Sequence, residues 1–169
     1  MIASAQSLAA PKLIVADAGP LIALAVGGVL PLCLDMLGGL MVPEAVLDEC
    51  TSDISAPGAA ILQDLHAAQS FQTILSASLM PLDPSFAQGL GGGEIAVLSY
   101  AAQNGLLALI DERRTRRAAD RLGVSVIGTG TVLAQLKQQG LIDSVKPILS
   151  VWRQHGYFSA WRMRLEINL

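Results

Sequence analysis

Four carboxylates and one run of arginines are the residues whose types and placement can do chemistry in this chain. Asp17 directly follows the apolar run "KLIVA", and Asp111 directly follows "LLALI". Glu94 comes straight after three glycines in "LGGGEIAVLSYA", and Glu49 lies in the helix that "VPEAVLDEC" starts. Acids at strand ends and helix starts can converge on one crevice. Without a cation among them they repel one another, so at least one should hold its proton more tightly than a free carboxyl. In "DERRTRRAADR", Arg113, Arg117 and Arg121 fall at i, i+4 and i+8 and form one stripe on a helix, with Arg114 and Arg116 beside it. Guanidinium forks match phosphate oxygens, so such a stripe can follow a nucleic-acid backbone. Each residue alone also has a plain structural role. Asp17 and Asp111 suit helix N-caps, Glu94 suits the positive end of a helix dipole, and Glu49 can face water. The arginines can form a solvated face, with Arg116 pairing with Asp120, or an interface with a partner.

The elements that must position these groups follow a rhythm of short aliphatic runs and longer helical patterns. "KLIVAD", "LMVP", "FQTIL", "LLALID" and "VSVIG" are apolar on both faces, as the strands of a helix-covered parallel sheet must be. Gly105 and Gly123 each stand between a helical pattern and the next strand, where a left-handed residue stops a helix. Gly140 ends "TVLAQLKQQ" in the same way, and a further helix is expected in "LIDSVKPILSVW". Five strands separated by helices predict an α/β fold, a three-layer sandwich around a parallel five-stranded sheet of Rossmann-like type. In such sheets ligands gather at the carboxyl ends of the strands, where Asp17 and Asp111 are expected to project.

Composition narrows the function classes. The 169 residues suit one compact domain, expected over residues 13–169 behind a flexible tail at 1–12. The formal net charge of -3 and pI near 5.2 exclude a protein that coats polyanions through its overall charge, leaving a local patch as the only basis for nucleic-acid contact. Cys33 and Cys50 fit no zinc spacing and read as small buried hydrophobes of a reducing, cytoplasmic setting. The mean hydropathy of +0.51 and the uncharged stretch from Ala18 to Leu34 raise the question of a membrane span. Pro20, Gly27, Gly28 and Pro31 interrupt that stretch, acids close both its ends, and no basic flank sets a topology, so no membrane association is expected. No Gly-Lys-Ser/Thr follows the glycines before Glu94, and "GTGT" at Gly128–Thr131 lacks the dinucleotide fingerprint and follows the last strand. His66 and His155 have no recognisable partner in sequence. Trp152, Tyr157, Phe158 and Trp161 cluster near the C-terminus and suggest a packed tail or an oligomer contact.

"IVADAGPLIALA", "VPEAVLDEC", "GGGEIAVLSYAAQ" and "LIDERRTRRAADRLGVSVIGTGTVLAQLKQQGLI" resemble, in order, the blocks of PIN-like domains. The similarity is to a small prokaryotic branch of unknown function related to the toxin ribonucleases of toxin-antitoxin pairs. It implies that Asp17, Glu49, Glu94 and Asp111 form a catalytic set, with Asp17, Glu94 and Asp111 as ligands of Mg²⁺ or Mn²⁺. These hard ions take oxygen ligands and keep water that can attack a phosphodiester. RNA is the implied substrate, contacted by Arg113, Arg117, Arg121 and Thr129, although Thr129 also suits a helix cap. The implied partners are an antitoxin protein and a second copy in a homodimer. The chain departs from the common PIN pattern in two places. Leu109 stands where a threonine usually precedes the last Asp, and Arg113 stands where a further acid usually follows it. A noncatalytic nucleic-acid-binding or protein-interaction module that keeps the fold is the alternative reading.

Overall fold

The computed structural model describes residues 13–156. The expected tail at 1–12 and three of the clustered aromatics, Tyr157, Phe158 and Trp161, lie outside the described residues.

All five strand candidates form strands. They are β1 (Ile14–Ala16), β2 (Leu40–Pro43), β3 (Gln72–Ile74), β4 (Leu107–Leu109) and β5 (Val126–Ile127). They join into one sheet in the order β3-β2-β1-β4-β5, with every pair parallel. Every residue of β1 and β2 is buried, whereas β3 and β5 at the edges are partly open. Full burial of the central strands requires cover on both faces, which is why their sequences are continuous apolar runs.

Among the described residues nine α-helices connect and cover the strands: α1 (Ala18–Val26), α2 (Leu30–Leu37), α3 (Glu44–Thr51), α4 (Ala59–Ala67), α5 (Pro84–Ala87), α6 (Gly92–Asn104), α7 (Arg113–Arg121), α8 (Thr129–Gln138) and α9 (Lys146–Gln154). Gly105, Gly123 and Gly140 have φ of 63°, 71° and 72°, the left-handed stops expected after α6, α7 and α8. The last helix starts later than "LIDSV" suggests, because Pro147 fits only its first turn.

The uncharged stretch from Ala18 to Leu34 breaks at Gly27-Gly28 into α1 and α2, which meet at 119°. Among the described residues no single helix is long and apolar enough to cross a membrane. Trp152 of α9 is buried and donates its indole N–H to the Ala23 carbonyl at 2.6 Å, satisfying its one polar atom while its rings fill the core beside Gly27. A side chain at Gly27 would put its Cβ 2.9 Å from Ile148 Cγ2 and 3.2 Å from Trp152 Nε1, so the glycine is what lets α9 dock.

Strand order reverses around β1. The chain runs from β1 outward to β2 and β3, then returns to the other side of β1 for β4 and β5. The crevice at such a reversal, outside the carboxyl ends of β1 and β4, is where an open α/β sheet binds ligands. Asp17 and Asp111 follow those two strands. The Asp17 amide donates to the Leu109 carbonyl at 3.1 Å, so the ladder carries Asp17 to the crevice edge.

Candidate active site

Each acid reaches the crevice by a different local route. Asp17 occupies the N-cap position of α1 with extended backbone, yet its side chain makes no capping hydrogen bond. Asp111 caps a distant helix. Its Oδ1 accepts from the Thr129 amide at 2.9 Å and its Oδ2 from the Thr129 hydroxyl at 2.6 Å, which fixes the first residue of α8. Glu94 is the third residue of α6 and folds back so that its Oε2 accepts from the Gly91 amide at 2.7 Å. Its Oε1 accepts from the hydroxyl of Thr115 on α7. Glu49, on α3, packs against the start of α6, since a Cβ on Gly93 would lie 2.9 Å from Glu49 Oε2 and 3.2 Å from Val46 Cγ2. The glycine run before Glu94 thus has one specific task at Gly93, the close approach of a carboxylate to a helix start.

Asp17 is where the four acids meet electrostatically. Only 6% of its surface is exposed, and burial pushes its pKa up to about 6. The Ala18 amide works against that shift, while the charges of Glu94, Glu49 and Asp111 reinforce it, in that order. Repulsion was the expected cause of a raised acid; desolvation proves the larger one. Burial also raises Asp111, opposed by the Thr129 hydroxyl and amide and by the Arg116 guanidinium.

The sequence-predicted acids therefore face one crevice, but their oxygens do not close on a point. Among the described residues no three Asp, Glu, His or Cys side chains are arranged to hold one ion as they stand. Both oxygens of Glu94 and both of Asp111 already accept a hydrogen bond. The chemistry of the donors nevertheless fits a hard divalent cation. Four carboxylates border the crevice, with Asp17 buried, Glu94 and Asp111 half-buried and Glu49 exposed, and each engaged oxygen keeps a second lone pair.

The arginines of α7 divide by function. Arg113 and Arg117 are exposed and extend from the helix. Arg121 completes their stripe in sequence, but it donates to the Ser85 carbonyl at 3.0 Å and stands 4.9 Å over the Phe86 ring, tying α7 to α5. Arg114 lies over Gly89. Arg116, rather than reaching along the helix to Asp120, turns back to the sheet and donates its Nε–H to the Ile110 carbonyl at 2.8 Å.

Two residues of the network carried no such role in the sequence reading. Thr115 is fully buried and its hydroxyl reaches Glu94, while its amide donates to Glu112, the N-cap of α7, at 2.8 Å. The available signal was the small-residue face formed by Thr115, Ala118 and Ala119, which marks the side of α7 that packs inward. Thr129 is also fully buried, with its hydroxyl committed to Asp111. Cys33 and Cys50 are buried free thiols, both pushed up to about 12 by burial, so neither offers a thiolate near neutral pH. His66 stacks on Phe71, with ring centroids 5.9 Å apart, and His155 is exposed.

The sequence model of a family described as a PIN domain, one of unknown function, matches residues 13–167. The chain belongs to this PIN-domain family. The match covers every described element of the sheet and every residue of the acidic crevice, so the chain carries a nuclease-type domain. No curated protein matches the chain.

Proposed function

We propose that this PIN domain is a divalent-metal-dependent endoribonuclease, with Asp17, Glu49, Glu94 and Asp111 as its catalytic set. The observation that carries the reading is Asp17, a buried acid facing three other carboxylates at the strand-order reversal, with no cation among the groups that shift it. A buried acid among like charges is costly to keep, and Asp17 makes no capping hydrogen bond to offset that cost, which is the signature of a functional site.

Asp17, Glu94 and Asp111 would hold Mg²⁺ or Mn²⁺, with Glu49 at the open side of the crevice. The bound ion would supply Lewis-acid polarisation of a phosphodiester and a water of lowered pKa. Thr115 and Thr129 keep Glu94 and Asp111 oriented through their hydroxyls. Asp17, titrating near 6, becomes an available carboxylate only as the pH rises through that value. Glu49, exposed at the rim, can take up a proton from an incoming water. Arg113 and Arg117 give exposed guanidinium forks along α7 for the phosphates of the RNA strand.

Incubation of the full chain with single-stranded RNA and Mn²⁺ tests this reading. The wild type should cut, and Asp17→Asn should stop cutting while RNA binding persists. A second reading, a noncatalytic RNA-binding module, is favoured by one observation: the hydrogen bonds that occupy Glu94 and Asp111 leave no three carboxylates gathered around one point. Binding without any Mn²⁺-dependent cleavage by the wild type would select it. The finer assignment, the toxin of a cytoplasmic toxin-antitoxin pair, rests on the family resemblance, as do the antitoxin and homodimer partners. A short antitoxin-like reading frame directly upstream in the genome would support it, and an isolated gene would not.

A further inference from the structure

Lysine and arginine are confined to one part of this chain. None stands between Lys12 and Arg113, and that stretch holds eleven of the fourteen acids. The sheet turns this division of the sequence into a division of the molecule. On one side of the crevice, β2, α3 and β3 lie wholly within the stretch that has no cation; on the other, α7 starts at Arg113, and β5 and α8 follow it.

The crevice therefore has unlike rims. On the β2 side, α3 carries Glu44, Asp48 and Glu49. The turn after β3 is tied to that rim, since the Ser76 amide donates to Glu44 at 2.7 Å, and hydrogen bonding from Ser76 holds the Glu44 carboxyl below its usual range. On the β4 side, Arg113 and Arg117 are exposed on α7, and Arg116 turns inward. The Arg116 Nε–H is fixed to the Ile110 carbonyl, and a Cβ built on Gly128 would sit 2.8 Å from Arg116 Nη2 and 3.1 Å from Asp111 Oδ1. Three guanidinium groups thus lead from the outer face of α7 to Asp111. A single strand brings one phosphate per nucleotide. Along α7 each phosphate can exchange its counterion for a guanidinium. Over α3 it would meet carboxylates inside a Debye length of about 8 Å, with no lysine or arginine in that part of the chain to offset them.

We infer that the crevice holds RNA on one side of the scissile phosphate only: the strand lies along α7, over Arg113, Arg117 and Arg116, and leaves for solvent at the α3 rim. The inference rests on the nuclease reading and specifies its substrate class, a single strand that can be cut next to one of its ends.

A mixed-sequence single-stranded RNA of about twenty nucleotides, labelled at one end or the other and partly digested by the full chain with Mn²⁺, maps the reach of the site. Cuts should approach the last phosphates at one end and stop about three nucleotides short of the other, one for each guanidinium. Equal stand-off from both ends would overturn the inference and leave the nuclease reading intact. Anisotropy across a salt series tests the path without cleavage. Three phosphate contacts on a single strand give a slope of about -2, and the double variant Arg113→Ala/Arg117→Ala should bring it to about -0.7. A wild-type slope of about -4 or steeper, or a double variant that keeps the wild-type slope, would overturn the inference, because another surface would then hold the strand. Binding with the expected slopes but no cutting by the wild type would remove the nuclease reading and keep the one-sided path. No RNA binding by the wild type would remove both.

Discussion

Replacing Asp17 by Asn should make the metal-free protein more stable, although it removes the residue on which activity is proposed to depend. The magnitude follows from the titration of Asp17. Its folded pKa of about 6 stands above the ordinary 3.8 of a free Asp. Between these values the folded state binds more protons than the unfolded one, so stability falls as the pH rises from about 3.8 through about 6 and is level above. The accumulated penalty above that window is about 3 kcal/mol, and at pH 5 about half of it has built up. Asp17 is almost fully buried, so solvent does not screen this cost away. Asn keeps the size and carries no charge. In EDTA at pH 8, Asp17→Asn should raise Tm by roughly 6–12 °C, with the gain about halved at pH 5. Millimolar Mn²⁺ should close most of that gap. At a concentration one hundred times its Kd, an ion stabilises the wild type by about 2.7 kcal/mol, and the variant has lost a ligand and gains less. Differential scanning fluorimetry at the two pH values, with EDTA or Mn²⁺, measures all four numbers. A variant less stable than the wild type in EDTA at pH 8, or a gain that does not shrink at pH 5, would refute the picture of Asp17 as a buried, uncompensated charge.

The other expectations concern the residues around it. Gly93→Ala should lower the metal-free Tm by a few degrees, because the gain in helix propensity does not offset a Cβ 3.2 Å from the buried Val46 Cγ2, and by displacing Glu49, whose Oε2 would lie 2.9 Å away, it should cut RNA cleavage about tenfold or more. Thr129→Val strips the hydroxyl from Asp111 and should cost about 1.5–3 kcal/mol in urea unfolding, with Thr129→Ser recovering most of it; equal losses for both would show that the methyl group matters instead. Arg117→Ala should weaken RNA binding and lower the salt dependence by about one unit of slope or less, measured by fluorescence anisotropy across a salt series. Arg121→Ala should chiefly lower stability, because its guanidinium is engaged by Ser85 and Phe86.

The parts of the fold legible in the sequence are those that one element decides alone. Continuous apolar runs gave five strands, since a strand buried on both faces cannot alternate. Gly105, Gly123 and Gly140 gave helix ends, since a left-handed residue is cheapest without a Cβ. Placement of Asp17 and Asp111 followed from strand ends, and that of Glu94 from a helix start. The parts left illegible depend on which rotamer meets which neighbour. The spacing of Arg113, Arg117 and Arg121 puts them in one stripe, but Arg121 meets α5, an element separated from it by 36 positions at Ser85. Arg116 shares its helix with the stripe and points the other way, because the adjacent Thr115 sits on the packed face. Thr115 touches Glu94 across 21 positions, and helix periodicity alone marks it only as buried.

The two departures from the common PIN pattern acquire a physical meaning in this network. Leu109 is fully buried in β4, so no hydroxyl reaches Asp111 from that strand. The donors come instead from the next crossover, through the amide and hydroxyl of Thr129. Arg113, at the position where a further acid is usual, is exposed and adds positive charge to the outer face of α7. Asp111 is held by Thr129 at the start of α8 and Glu94 by Thr115 and Gly91, and neither depends on a metal ion to stay oriented. Asp17 receives no comparable support and is the most desolvated of the proposed ligands that face all the others. On the proposed nuclease reading the drive to bind a cation would be concentrated on this one buried carboxylate, and competition between proton and ion for it near pH 6 would set the range in which the crevice could be loaded.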